Sequence, residues 1–261
     1  MPDITLIVST YNWPEALHLC LLSIKEQTLL PSEVIIADDG SASETRQIID
    51  EIKKKFPVPI LHLWHEDLGF RKTIILNKAV KQSSNSYIVQ IDGDVILEKH
   101  FLADHVTLRE PHVFVRGTRA HIEKARIPEI FRSSQIHFNF LSKGIINRFN
   151  GIRLPLFSFL LEKKSYNSTS VRGSNLAYWK SDFIQVNGYN NDLTGWGHED
   201  EELAARFVNN NIQKKVIKLK AVQFHLSHGQ LSRNNEPRHA EEVKTTVQLK
   251  LKYCINGYEQ S

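Results

Sequence analysis

The sequence predicts an α/β fold, with a mainly parallel sheet flanked by helices. Three observations carry this expectation. Apolar runs of strand length alternate with segments of helical period over roughly the first hundred residues. The connections between them are short, and the runs are continuously apolar rather than alternating in polarity. "ITLIVSTY" is the first β-rich run; in "PEALHLCLLSIKEQ", Leu17, Cys20, Leu21 and Ile24 then fall on one helical face. "EVIIADDG" has the uninterrupted apolar character of a strand covered on both sides. A helical pattern through Ile49, Ile52 and Phe56 leads to the strand "PILHLWH", the helix "RKTIILNKAVKQ" and the strand "YIVQIDGD".

The second half is less regular. "VFVRGTRA" reads as a strand. Residues 127–166 mix Arg and Lys with Ile, Leu and Phe, as in "GIINRFNGIRLPLFSFLLEKK", and show no clean period. Two readings stay open: an irregular helical insertion packed on the sheet, or a surface touching membrane or a lipid-linked substrate, since basic and apolar side chains together suit an anionic interface. "KKVIKLKAVQFHLSHG" reads as a strand leading into a histidine-containing loop, and Pro237 to Tyr253 as an amphipathic helix.

Composition excludes several classes. With 261 residues, 41% hydrophobic and 24% charged, the chain has an ordinary soluble composition and can bury a large core. A formal charge of +4 is compatible with an anionic ligand or a membrane surface but too weak to argue for nucleic acid. Cys20 and Cys254 are far apart and form no metal-type pair; Cys20, on an apolar helical face, reads as a buried thiol. "MPDITLIVSTYN" lacks a basic region followed by a long apolar run, and no segment has transmembrane length. The expected location is therefore cytoplasmic, with peripheral contact on the inner face of the membrane as an option. The first strand is followed by "STYNWPEA" instead of a Gly-rich dinucleotide fingerprint, and no Walker A sequence occurs.

Parallel sheets bind ligands beyond the carboxyl ends of their strands. Ser9-Thr10-Tyr11, Asp38-Asp39-Gly40 and Asp92-Gly93-Asp94 collect there. Two carboxylates around a glycine can hold a hard divalent cation, or can form a solvated turn. His225 and His228, three apart at a strand-to-loop corner, can converge on the same cation. Arg71 and Lys72 stand at a helix start, where cations oppose the helix dipole unless an anion such as a diphosphate lies among them. The alternative is two solvated basic side chains. In "GWGHEDEEL", Glu199, Asp200, Glu201 and Glu202 suit the first turn of a helix, and Leu203, Ala204, Phe207 and Val208 supply its apolar face.

Together these segments resemble a known family. "VSTYNWPEALHLCLLSIKEQT", "VIIADDGSAS" and "QIDGDV" are similar to the nucleotide-binding half of GT-A glycosyltransferases of the family 2 type. "GSNLAYWKSDFIQVNGYNNDLTGWGHEDEELAARF", with the His loop and "NNEP" after it, resembles the C-terminal motif of β-1,4-galactosyltransferases and bacterial chondroitin-type polymerases. The similarity spans roughly residues 3–120 and 172–240. It implies one integrated GT-A domain with a Rossmann-like sheet. Residues 1–100 would bind the nucleotide-sugar; residues 101–261 would bind acceptor and perform catalysis, with a basic and apolar insertion at 121–170 and a C-terminal helix.

The resemblance also implies roles. Thr10, Tyr11 and Asp39 would line the uridine pocket, Arg71 and Lys72 would approach the diphosphate, and Asp92 would contact the nucleotide-sugar. Asp94, His225 and His228 would hold Mn²⁺ or Mg²⁺. Trp196 would wall the sugars, Glu199 would bind sugar hydroxyls, and Asp200 would be the catalytic base. His225 stands where the galactosyltransferases carry methionine, a change that should harden the site and broaden metal use from Mn toward Mg. Leu76 stands before Asn77 where many family 2 enzymes carry arginine, which bears on diphosphate binding.

The activity so implied is inverting, metal-dependent transfer of a hexose or N-acetylhexosamine from a UDP-sugar to a glycan hydroxyl. The acceptor would be a bacterial surface polysaccharide or lipopolysaccharide precursor, lipid-linked in one version. A sugar-nucleotide pyrophosphorylase and a non-catalytic glycan-binding relative are the alternatives.

Overall fold

The computed structural model describes residues 3–229 and 235–261. The first half follows the expected alternation: β1 (Ile4–Thr10), α1 (Pro14–Lys25), β2 (Glu33–Asp38), α2 (Ser43–Lys53), β3 (Ile60–Trp64), α3 (Lys72–Gln82) and β4 (Tyr87–Asp92). After it come β5 (Val95–Leu97), α4 (Phe101–Thr107), β6 (Val113–Arg116), β7 (Ala120–Ile122), α5 (Ile127–Ser133), β8 (Ile145–Ile146) and β9 (Lys163–Ser165). The chain closes with β10 (Asn175–Trp179), α6 (Lys180–Gln185), α7 (Glu199–Asn209), β11 (Gln213–Val216), β12 (Gln223–Leu226) and α8 (Glu236–Gln248).

The main sheet has the order β3-β2-β1-β4-β10-β6-β11-β9. β1 to β4 run parallel, and β10 is antiparallel to both β4 and β6. Because β1 lies between β2 and β4, the direction of chain progression reverses there. Thr10 and Asp92 sit at the resulting crevice, with Ser9 opposite Asp92.

The uninterrupted apolar runs have a simple cause. Successive strand side chains point to opposite faces, and both faces are covered. Ile4, Leu6 and Val8 join one core with Leu17, Leu21 and Ile24 of α1, Ile49 of α2 and Phe101 of α4. Ile7 joins the other with Ile75 and Leu76 of α3, Phe183 of α6 and Phe207 of α7. A third core lies beneath a small second sheet, β5-β12-β7-β8, and includes Ala16 and Leu19. Helix α1 is thus buried on a second side that its sequence pattern did not show.

Several expectations change. "KKVIKLKAVQFHLSHG" forms two strands in different sheets, β11 and β12, not one. Leu219 and Ala221 adopt left-handed backbone conformations between them, which no continuous strand tolerates. "VFVRGTRA" is likewise divided between β6 and β7. The C-terminal helix stops at Gln248 rather than Tyr253, where Lys250 turns left-handed and Asn209 takes the Thr246 and Leu251 carbonyls. Residues 127–166 hold one two-turn helix and short 3₁₀ turns at Arg148–Gly151 and Pro155–Leu160, but also β8 and β9, which join the second and the main sheet. The segment is thus irregular without being only a helical insertion packed on the sheet. Both cysteines are free and buried.

Helix α7 is anchored by a buried pair. Arg206 is 1% exposed; its Nε and Nη2 donate to the two Glu202 oxygens at 2.8 and 2.5 Å. Its Nη1 donates to the Val186 and Gly188 carbonyls, both at 2.6 Å. Breaking such a pair from one side leaves a buried charge uncompensated. Arg206→Ala should therefore lower unfolding free energy by about 3–5 kcal/mol in urea titration. Glu202→Gln combined with Arg206→Met should cost less than that single change.

Candidate active site

A cavity of about 1200 Å³ opens at the carboxyl ends of the parallel strands. It brings together Thr10, Tyr11, Asp39, Lys72, Asp92, Asp94, Trp196, Glu199, Asp200, His225 and His228. Arg71 is the exception among the expected residues and does not line it. Its backbone N–H donates to Asp39 Oδ2 at 2.9 Å and its guanidinium donates to the Glu66 carbonyl. Leu76 is wholly buried in the core.

On the β1–β2 flank, Asp39 ties three segments together. Its N–H donates to the Thr10 carbonyl at 3.0 Å, Oδ1 contacts His65 Nε2 at 2.7 Å, and Oδ2 accepts from Arg71 N–H. Tyr11 Oη donates to Asp67 at 2.9 Å and leaves the ring about half exposed at the cavity rim. An exposed aromatic face beside a fixed carboxylate suits a planar base.

At the switch point, Asp92 Oδ1 accepts from Ser9 Oγ at 2.9 Å and Lys72 Nζ at 2.7 Å. Lys72 is the first residue of α3, whose first turn contains no acid. Burial works against its charge, but Asp92, Asp200 and Glu199 outweigh it and hold the ammonium well above the ordinary lysine range.

The second sheet and the turns at its strand ends bring together a candidate cation-binding group. His225 lies on β12 opposite Val95, and Leu226 N–H bonds the Asp94 carbonyl at 2.9 Å. The Nε2 atoms of His225 and His228 each lie 3.3 Å from Asp94 Oδ2. All three ligand atoms fall within 4.8 Å of one another. Asp94 Oδ1 is buried with no hydrogen-bond partner. Burial raises the Asp94 carboxyl, but the two imidazoles outweigh it and hold it well below the usual range. One carboxylate and two imidazoles with an orphaned oxygen fit a borderline-to-hard divalent cation.

The Gly-Trp-Gly loop delivers the acids. Gly195 and Gly197 have φ of +95° and +118°, and His198 continues left-handed at +63° before α7 begins. Gly197 N–H donates to Glu199 Oε2 at 2.9 Å, and the Gly197 carbonyl contacts the buried His239 Nδ1 of α8 at 2.7 Å. Asp200 Oδ2 accepts from Gly173 N–H at 2.6 Å, and Oδ1 from Tyr189 Oη at 2.8 Å. Residue 173 must be glycine for this approach, since a Cβ would lie 2.5 Å from Gln90 Nε2 and 2.7 Å from Asp200 Oδ1. Burial, then the charge of Asp200, pushes the Glu199 carboxyl up to about 7, against the pull of Lys72.

Supporting residues escaped the sequence reading. Gln90 Nε2 donates to Tyr189 Oη at 2.9 Å, and Asn77 clamps the Tyr189 backbone through its N–H and carbonyl, both at 2.8 Å. Gln90 carried a signal: a polar residue inside the apolar run "YIVQID". Asn77 carries no such signal in the sequence. Arg119, Arg172 and His121, which also line the cavity, had no periodic or motif signal.

The switch-point crevice, with Asp94, His225 and His228 and the acidic start of α7 among its lining, sits in a fold of the GT-A glycosyltransferase class. The glycosyl transferase family 2 model matches residues 5–166, and the model for the N-terminal domain of galactosyltransferase matches residues 157–229. The chain belongs to glycosyl transferase family 2. It is 26% identical over 221 residues to validoxylamine A glucosyltransferase of Streptomyces hygroscopicus subsp. limoneus, covering 79% of this chain and 48% of that protein. It is 22% identical to chondroitin synthase of Escherichia coli, covering 94% of this chain and 38% of the relative. The chain thus spans half or less of these relatives' lengths.

Solved structures share the fold. S. aureus TarS in complex with UDP superposes with TM-score 0.62 at 17% identity, over 95% of this chain and 64% of that one. A mannosyltransferase from Pyrobaculum calidifontis in complex with GDP-Man and Mn²⁺ gives 0.60 at 17% identity, over 95% and 70%.

Glu199 makes stability pH-dependent with a definite sign. An acid raised on folding binds its proton more tightly in the native state, so its contribution is full below pH 4.5 and lost as pH rises to about 7. Burial holds His105 and His121 down to about 4, which adds an opposite trend common to both proteins. In urea unfolding, the stability difference between the native chain and Glu199→Gln should therefore fall as pH rises across this window. Coincident profiles for the two proteins would contradict the assignment.

Proposed function

We propose that this protein is an inverting, metal-dependent glycosyltransferase that moves a hexose or N-acetylhexosamine from a UDP-sugar to a hydroxyl of a glycan acceptor. The observation that carries this is the facing of two acidic groups across one cavity: Asp94 with His225 and His228, and Asp200 at the start of α7. Thr10, Tyr11 and Asp39 bind the uridine, and Lys72 with Asp92 meets the diphosphate. Arg71 supports this end through its backbone N–H on Asp39.

Asp200 takes the proton of the attacking acceptor hydroxyl. Its oxygens are aimed by Gly173 N–H and Tyr189 Oη, and each keeps a lone pair for the proton. Attack from the face opposite the leaving group inverts the anomeric centre. Trp196 walls the sugars, and Glu199, protonated up to neutral pH, can donate to a sugar oxygen. A divalent cation, Mn²⁺ or Mg²⁺, held by Asp94, His225 and His228 would stabilise charge on the departing diphosphate as a Lewis acid.

The biological setting belongs to the same proposal. Relatives include chondroitin synthase and a poly-β-1,6-N-acetyl-D-glucosamine synthase of Staphylococcus epidermidis, which supports polysaccharide or lipopolysaccharide synthesis in a bacterium. No described helix is long and apolar enough to cross a membrane. Exposed Phe149, Leu156, Phe159 and Leu160, with Arg148 and Lys163 nearby in sequence, support a peripheral contact on the inner face of the membrane and a lipid-linked acceptor.

The test is UDP release from a panel of UDP-sugars, with and without Mn²⁺ or Mg²⁺. The native chain should release UDP from one donor only with metal. Asp200→Asn should lose about 10²–10⁴-fold in rate while binding UDP normally. Metal-independent turnover, or full activity in the variant, would refute the mechanism.

A further inference from the structure

Three arginines gather beside the acceptor-facing acid, and the mechanism above uses none of them. Arg116 ends β6, Arg119 precedes β7, and Arg172 adjoins Gly173, whose N–H holds Asp200. Arg119 and Arg172 both line the cavity. In the sheet, β10 and β6 lie on the opposite side of β4 from β1 and β2, the strands that bring Thr10 and Asp39.

Half-buried Arg71 and Arg109 donate to backbone carbonyls, whereas Arg153 and Arg206 answer a carboxylate. Arg153 pairs with Asp104, and Arg206 with Glu202. Among the described residues, Arg116, Arg119 and Arg172 form no ion pair with a carboxylate. Arg116 Nε donates to the Ser170 carbonyl at 2.8 Å, and Arg119 Nη1 to Ser174 Oγ at 3.1 Å. Arg119 Nε is buried with no partner. Burial and the neighbouring guanidiniums together disfavour the charge on Arg116, and burial with Arg172 does so on Arg119, although Asp92, Asp94 and Asp200 partly offset this. Like charges held together with an unsatisfied buried donor are costly unless an anion joins them.

Position says which anion. The acceptor hydroxyl must reach Asp200, and Arg172 is two bonds along the chain from the N–H that aims it. The uridine end lies on the other flank. We propose that Arg119 and Arg172 bind an oxoanion borne by the acceptor, a carboxylate or a phosphate, so that this enzyme glycosylates an anionic glycan. The proposal rests on the transferase reading and names its acceptor class. The guanidinium fork matches both oxoanions and does nothing comparable for a neutral sugar.

The full chain is titrated calorimetrically with methyl β-D-glucuronide, glycerol 3-phosphate and neutral methyl β-D-glucoside, each with and without UDP and Mn²⁺. UDP binding is measured separately. At least one anionic probe should bind, with the glucoside at least tenfold weaker; the tighter of the two anions identifies the acceptor group. Arg172→Gln, at an exposed position, and Arg119→Gln should each weaken that probe by about 10- to 100-fold and leave the UDP affinity unchanged. Equal binding of glucuronide and glucoside, with no phosphate binding, would overturn the proposal. So would loss of UDP affinity in the variants equal to the loss of anion affinity, which would assign the arginines to the leaving diphosphate. Anion-selective, arginine-dependent binding in a chain that ignores UDP would uphold the site and refute the transferase reading alone.

Discussion

The ammonium of Lys72 is what allows this cavity to be acidic. Asp92 ends β4 while Glu199 and Asp200 begin α7, and in a partly dry crevice their mutual repulsion would drive them apart or force protons onto them. Lys72 contacts Asp92 at 2.7 Å, and its charge is felt by all three. Its position as first residue of α3 is unfavourable to the helix dipole, so the helix accepts a local cost for the sake of the site. The same helix turns Asn77 toward the opposite core, where it clamps the backbone of Tyr189, the residue that aims Asp200. One helix thereby sets both the charge balance of the cavity and the orientation of Asp200.

The acidic helix α7 is held from behind by comparable means. The Glu202–Arg206 pair reaches the carbonyls of residues 186 and 188, just ahead of Tyr189. Helix α8 supplies Thr246 to Glu202 at 3.2 Å and His239 to the Gly197 carbonyl. The acids that look alike in sequence therefore differ in fate. Glu202 is a buried structural partner, Glu201 lines the cavity while accepting from Ser170 N–H and contacting His198, and Glu199 and Asp200 line it within the field of Lys72. The raised Glu199 carboxyl follows from burial, which sequence crowding alone does not reveal.

The small second sheet performs a different task. It pairs β5, directly after Asp94, with β12, which ends at His225 and His228. Residues about 130 apart in sequence become one candidate ligand set because a two-strand register brings them together. The strand expected to run unbroken from Lys214 had to break for this to happen, and the left-handed Leu219 and Ala221 make the break. A period-two reading sees apolar character on both sides of that kink and has no means to place it.

Within this chain, the sequence alone determined the alternating α/β order, the strand ends that carry Ser9, Asp39 and Asp92, and the Asp94, His225, His228 and Asp200 positions. These were legible because strand burial imposes local composition and because the chemistry concentrates unusual residue types at short spacings. Tertiary structure alone decided that Arg71 meets Asp39 through its backbone and lies outside the cavity lining, that Leu76 faces the core, and that Gln90, Asn77 and Tyr189 orient Asp200. It also decided that Arg119 and Arg172 share the cavity without carboxylate partners. Each of these depends on contacts between segments far apart in the chain, and such contacts are set by sheet order and helix packing, which leave no mark in local spacing.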